Sequence, residues 1–396
     1  MNLSDVKKRA FEAIDSEKDV IFRLSRYINL HPETAYKEEK AATALKDFLS
    51  ERGFEIHSPA GGISTAFTAD FDLAESGSSE LSGGESPVPV ALIAEYDALE
   101  GLGHGCGHNL IAAAAASAAI GTADALKAAG ASGVEQPAFR VIGSPAEEVM
   151  TEPAGKTRLI EAGVFRNVGA ALMFHPWTET GVARKDLGCT AYRIVYQGRP
   201  AHAAADPWNG LNALDAAIGF YNSISMLRQQ LPSGFKLHCI LPEAGSVLNI
   251  IPEKAVVEVM LRSTELEELK AFGKRIIDCA EASASATGCS IEINLMADLK
   301  PILFNEKLFS LASENTLLLG EGLLPLPVWE ASSDFGDVSR MIPSLSLLYA
   351  THGSDICWHS TDVARLSGKA DANDAMLRAS KILAATALDL ILGKAL

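Results

Sequence analysis

Positive charge is scarce in this chain of 396 residues: 34 Lys and Arg stand against 50 Asp and Glu, for a formal net charge of -16. Nothing supplies the basic surface that a nucleic-acid backbone or an anionic membrane requires, so both partner classes are set aside. Cysteine is sparse as well. Cys106, Cys189, Cys239, Cys279, Cys289 and Cys357 are too few and too scattered for a disulfide scaffold, and they suit a reducing, cytoplasmic setting. The first residues, MNLSDVKKRAFEAIDSEKDV, are charged throughout and lack the apolar core of a secretory signal, and no apolar run is expected to reach spanning length. Internal repeats and long low-complexity tracts are missing too. What remains is a globular composition, 48% hydrophobic and 21% charged, in a chain longer than one hydrophobic core usually serves. Two domains are therefore expected.

Hydrophobic spacing predicts amphipathic helices over 3–28 and 36–52, with HPETAY as the turn between them, and a strand pair over 54–69 with Gly61 and Gly62 in its turn. The Ser/Gly/Glu-rich stretch 70–88 reads as a solvated loop. PVALIAEYDA is a continuous apolar run ending in acids, as a strand buried on both faces would be. GLGHGCGHN and an alanine-rich helix follow it. FRVIGS and GAALMFHPW are further buried strands, ending at PAEE and at His175. This is an α/β pattern, and in a mostly parallel sheet the ligand site lies beyond the carboxyl ends of the strands. From about residue 187 the order changes to β-α-β-β-α-β, that of a ferredoxin-like split unit, before PSLSLLYA and a closing helix from about 368 resume the first pattern. The expected division is 1–186 plus 300–396 for one domain and 187–299 for the inserted one.

Taken singly, the chemistry-bearing residues have ordinary readings. Cys106 and His108 in HGCGH could be structural, although a thiolate and an imidazole two residues apart suit a borderline metal such as zinc. Glu147 and Glu148 could be a solvated first helical turn. His175 and His359 could be satisfied structural histidines. The conjunction points elsewhere, because all six fall at one edge of one sheet. A metal site needs one carboxylate to bind and another to move a proton, and adjacent acids at a bend can divide those tasks. His104 and His352 have plausible loop positions but are read as lying outside the ligand set.

The motifs AEYDALEGLGHGCGHNLI, SPAEE, FHPW, GRPAHAAADPWNGLNALDA, SVLNIIPEKAVVEVMLR and WHSTD resemble a metallopeptidase family. It includes aminoacylase-1, the carboxypeptidase G type, bacterial dipeptidases and auxin-conjugate hydrolases; the branch most like this chain is that of the aminobenzoyl-glutamate hydrolase B subunits and related dipeptidases. The likeness runs from His31 to the C-terminal helix. It implies an amide hydrolase with two divalent metals, zinc or manganese with cobalt as a further candidate. It also implies that the inserted domain is a lid through which a homodimer forms. Carried over by motif, Cys106 bridges the metals, Glu148 and His359 complete one, and His108 and His175 the other. Glu147 is the general base. Asp97 orients a metal-binding histidine. His202 reaches the partner subunit's site and holds the oxyanion, while Asn249 and Arg262 grip the substrate. Glu95 stands where related branches have a histidine and receives no role, and Glu100 replaces the proline usual after EYDAL.

The implied substrate is a small N-acyl, aroyl or aminoacyl amino acid or a dipeptide. Hydrolytic removal of an amino group from an aromatic acid is a rival, since the same activated water could attack either centre. A catalytically inactive metal- or peptide-binding protein is another, but it has no use for the second carboxylate, Glu147. A nucleotide-binding reading of GLGHGCG fails because His104 and Cys106 stand where phosphate would approach.

Overall fold

The computed structural model describes residues 1–73, 88–131 and 138–393. Its strands are β1 (Glu55–His57), β2 (Phe67–Phe71), β3 (Ala91–Glu95), β4 (Phe139–Ser144), β5 (Ala171–Trp177), β6 (Gly181–Ala183), β7 (Gly188–Gln197), β8 (Lys236–Glu243), β9 (Lys254–Ser263), β10 (Ser290–Leu299), β11 (Leu324–Leu326) and β12 (Ser344–Ala350). One sheet has the order β1-β2-β4-β3-β5-β12-β6-β11 and the other β10-β7-β9-β8. The centre of the large sheet, β4-β3-β5-β12, is parallel. Every residue of β3 is buried, which is why its sequence is apolar without alternation.

The chain passes from β3 to β4 on one side and then to β5 on the other, so the crevice at this reversal opens beyond the carboxyl ends. Register brings those ends level. Glu95 of β3 faces Ser144 of β4. Leu92 pairs with Leu172 of β5, and Glu95 and His175 each lie three residues further on (95 − 92 and 175 − 172). The segments that leave these ends carry Asp97, Glu147 and Glu148.

The small sheet is antiparallel, with helices Ala213–Leu227 and Leu266–Thr287 packed on it around a separate core that includes Ile194, Phe220, Val257 and Ile276. Its element order is the split β-α-β-β-α-β unit expected. Elsewhere the expectations need correction. The first long helix is two, Leu3–Ser16 and Lys18–Leu30, broken at Glu17. The short strands β6 and β11 and the helices Gly155–Glu161, Glu306–Leu317 and Phe335–Met341 were not anticipated, being too short or too weakly periodic to stand out. Most of the solvated loop expected over 70–88 lies outside the described residues.

Helix His108–Ala129 is long and apolar enough to cross a membrane by length and composition, contrary to the expectation that no run reaches that length. Its place explains its composition: it is almost wholly buried, packed on β3 and β5 and between helices Leu3–Ser16 and Ala370–Ile391. Small side chains let these elements approach closely. At Gly121 a methyl group would sit 2.7 Å from Ile14 Cγ1 and 2.9 Å from the carbonyl oxygen of Ala10. Helix propensity favours alanine there by about 1 kcal/mol, but the contact is with backbone that cannot yield, so overpacking of about 1–3 kcal/mol should win. Gly121→Ala is therefore expected to lower the thermal midpoint; an unchanged or raised midpoint would show that the two helices can separate without cost.

Candidate active site

Two loops and the end of β5 meet through two glycines. At Gly105 a side chain would collide with the backbone of Ser360, and the same glycine's carbonyl accepts the N–H of His359 at 3.1 Å. Gly107 has φ +77°, a conformation glycine adopts freely, and a Cβ there would come within 2.9 Å of Pro176. The Cys106 loop is thus pressed against the loop bearing His359 and the end of β5 bearing His175.

His108 opens the alanine-rich helix and is fully buried. Its Nδ1–H donates to Asp97 Oδ1 at 2.9 Å, which turns Nε2 toward the crevice. Asp97 Oδ2 accepts the backbone N–H of Glu148 at 2.9 Å. His175 is arranged likewise: Nδ1–H donates to the carbonyl of Pro176 at 2.9 Å, and Nε2 faces Cys106 Sγ at 3.6 Å. Fixing one imidazole nitrogen to present the other is the arrangement of metal-binding histidines. The turn bearing Glu147 and Glu148 is set by Ala146, held at φ +57°, whose N–H donates to Glu38 Oε1 at 3.0 Å. His359 shares that left-handed conformation, at φ +57°, and its Nε2 lies 3.4 Å from Glu148 Oε1. Non-glycine residues in this region carry strain of about 1–3 kcal/mol, and such strain clusters at functional sites.

The donor atoms fall into overlapping groups, each within 4.8 Å: Cys106, His108 and His175; Cys106, Glu148 and His359; and His108, Glu147 and Glu148. Cys106 is common to the first two. His108 Nε2 and Glu148 Oε1 are buried without a hydrogen-bond partner, the condition a bound cation relieves. Electrostatics agree. Burial pushes the Cys106 thiol up, and Glu148 adds to it. Burial, then Glu148 and Glu95, hold Glu147 well above the usual carboxylate range. Burial lowers His175 to about 4, leaving it neutral and able to ligate. Burial opposes the charge of Asp97, yet His108 and the Glu148 N–H keep its carboxyl below the ordinary value. A thiol, imidazoles and carboxylates converging in this way fit divalent metal ions.

A cavity of about 410 Å³ opens over this cluster, between the two sheets. Cys106, Glu147, Glu148, His175 and His359 line it, and Met260 and Arg262 reach it from β9 of the small sheet. Arg262 donates to Ser332 Oγ at 2.8 Å. His202 and Asn249 do not line it. They sit together on exposed loops of the small-sheet unit, where His202 Nδ1 accepts the N–H groups of Ala204 and Ala205 and the Asn249 carbonyl accepts the N–H of Ala203. His104 donates to the carbonyl of Ile28 at 3.1 Å, and His352 is engaged by Thr351 and Ser367, so neither joins the donor groups. Sequence reasoning missed Lys156 and Asp334, which are buried beneath the cluster, and three of the four tryptophans, Trp177, Trp329 and Trp358, which line the cavity.

A peptidase dimerisation domain model matches residues 187–287, most of the small-sheet unit. The mouse (Mus musculus) Xaa-Arg dipeptidase is 37% identical over 408 aligned residues, covering 99% of this chain and 90% of that protein. The chain belongs to the M20 peptidase family, a family of metal-dependent amide hydrolases. Another M20 relative, a p-aminobenzoyl-glutamate hydrolase component of Escherichia coli K12, is 30% identical over 71% of this chain and 58% of its own length. Among solved structures, a Staphylococcus aureus protein assigned as an aminohydrolase superposes with a TM-score of 0.73 at 18% identity, covering 97% and 100% of the two chains. A Bacillus subtilis dinuclear metal-binding peptidase of the M20 family gives 0.66 at 21%, covering 96% and 99%. These last two likenesses establish a shared M20 fold.

Because Asp97 holds both the His108 ring and the backbone of Glu148, Asp97→Asn should weaken retention of added zinc by about 10- to 100-fold. Competition with a chromophoric chelator measures this, and unchanged affinity would show that His108 needs no such support.

Proposed function

We propose that this M20 hydrolase cleaves the amide bond of a small dipeptide or N-acyl amino acid at a site whose two divalent metals Cys106 would help to hold. In this reading Glu148 and His359 complete one site and His108 and His175 the other, with Glu147 left free. The observation that carries it is the pair of donor triads that share Cys106, with Glu147 beside them and outside both. Zinc suits the thiolate and imidazole donors, and manganese or cobalt are alternatives to be compared. Bound there, such ions would acidify a water toward a pKa of about 7 and polarise the scissile carbonyl.

The chain's own residues do the rest. Glu147, whose proton affinity burial and acidic neighbours raise, takes in its ionised form the proton of the attacking water and passes it to the departing amide nitrogen. Arg262, facing the cavity, pairs with the substrate's terminal carboxylate, since guanidinium and carboxylate geometries match. His202 and Asn249 lie away from this chain's cavity, which supports a homodimer in which they complete the other subunit's site, with His202 donating to the oxyanion. The dipeptidase name of the mouse relative makes dipeptides the first substrates to test, basic C-terminal residues included. A cytoplasmic setting belongs to the same reading and suits six unpaired thiols.

Chelation should abolish amidase activity, and zinc, manganese or cobalt should restore it. Full turnover in a preparation found metal-free by elemental analysis would refute the reading. Glu147→Gln should keep its metals but lose about 100- to 10,000-fold in kcat, whereas Glu148→Gln should lose metal itself. Elemental analysis beside kinetics separates the two, and metal loss in Glu147→Gln would overturn the assignment of the base.

Mixing the inactive variants His202→Ala and Glu147→Gln should regenerate activity, because one site of the heterodimer then receives both native residues. No recovery, with subunit exchange demonstrated by mass spectrometry, would place His202 within its own subunit's chemistry or outside it.

A further inference from the structure

Glu95, Glu147 and Glu148 each bring a carboxylate oxygen to 3.8–3.9 Å from His108 Nε2. The two-metal reading uses only two of them. Glu95 lies at the end of β3, is fully buried, and its Oε2 has no hydrogen-bond partner. A zinc ion about 2.0–2.1 Å from His108 Nε2 would lie within reach of that oxygen. What separates Glu95 from its neighbours is its other oxygen, Oε1, which is ion-paired with Lys156 Nζ. Lys156 has no solvent exposure, and its ammonium is shared with Asp334, also fully buried. Asp334 holds the lysine twice, because its Oδ2 also accepts the Lys156 backbone N–H at 2.8 Å.

The lysine is placed by backbone that cannot shift. A Cβ at Gly155 would lie 1.7 Å from the carbonyl oxygen of Pro145, and one at Gly336, two residues after Asp334, would lie 1.8 Å from that of Lys300. Gly155 N–H also donates to the Ala146 carbonyl at 3.0 Å, so the start of the lysine's helix is tied to the turn that carries Glu147. Three charged side chains buried together this way are costly unless each is paired, and one lysine serves both acids.

We infer that Lys156, locked by Asp334, is a positioning residue that withholds Glu95 from the metal site. The inference rests on the two-metal reading proposed for this site. A catalytic metal must keep a position open for water or substrate, and a carboxylate added on the His108 side would fill it and neutralise the cation. The clamp leaves Glu95 as a nearby negative charge that is not a ligand. It also assigns a role to a residue that stands where related branches have a histidine.

The test is cobalt(II) substitution combined with chelator competition. Lys156→Met/Asp334→Asn frees Glu95 without leaving Asp334 unpaired. Cobalt absorption should then lose intensity as coordination number rises, and metal affinity should increase by about tenfold or more. Adding Glu95→Gln should return the spectrum to the wild-type form and the affinity to within about twofold of it, because an amide is a poor ligand. Should the double variant fail to fold, Glu95→Gln alone decides: affinity and spectrum unchanged support the clamp, and a loss of about tenfold or more would make Glu95 a ligand and overturn it. A wild-type spectrum and affinity in the double variant, or no reversal in the triple, would overturn it equally. Failure of the wild-type protein to bind cobalt at all would instead count against the two-metal reading, a result distinguishable from these.

Discussion

The two hydrogen bonds of Asp97 are the constraint on which the site depends. One oxygen fixes the tautomer and ring plane of His108, and the other holds the peptide N–H of Glu148, so a single carboxylate ties the helix after β3 to the turn after β4. The first bond is buried and the second partly so, and both are charge-assisted, which makes them strong. Everything else at the crevice follows from that fixed pair. The His359 loop docks on Gly105, the end of β5 docks on Gly107 through Pro176, and Cys106 is left at the centre with a donor on each side.

Around this pair the fold concentrates negative charge in a place water does not reach. Glu38, Glu95, Asp97 and Asp334 are all buried close to the cluster. Two have cationic partners supplied by the chain: Lys156 serves Glu95 and Asp334. Glu38 instead receives the backbone N–H groups of Tyr36 and Ala146, while burial and Asp97 hold its carboxyl at about 7. Among the described residues, the ion pairs of Glu147 and Glu148 are with histidines. Carboxylates without a lysine or arginine partner thus gather at the crevice, which is the electrostatic form expected of a site for divalent cations.

The small-sheet unit relates to this centre in two ways. Through β9 it lowers Met260 and Arg262 onto the cavity from above. Through its exposed loops it carries His202 and Asn249, together with the exposed Trp208 and Leu248, away from it. Its core is separate from that of the large sheet.

Much of this was legible in the sequence because the relevant signals are local. A buried parallel strand announces itself as an unbroken apolar run, and the residue ending it is then at the sheet's ligand edge; that logic found Cys106, His108, Glu147, Glu148, His175 and His359 together. The split order of the inserted unit was readable for the same reason. What tertiary structure alone decided are the pairings between distant segments. Lys156 and Asp334 are 178 residues apart, and each by itself reads as a solvated charge at a helix start. Glu95 had no role until the lysine was seen beside it. The separation of Arg262 from His202 and Asn249 likewise depends on how one sheet sits over the other. Alternation and periodicity fix which face a residue takes on its own element, but they carry no information on which buried charge will find which partner, because that is settled by packing across the whole chain.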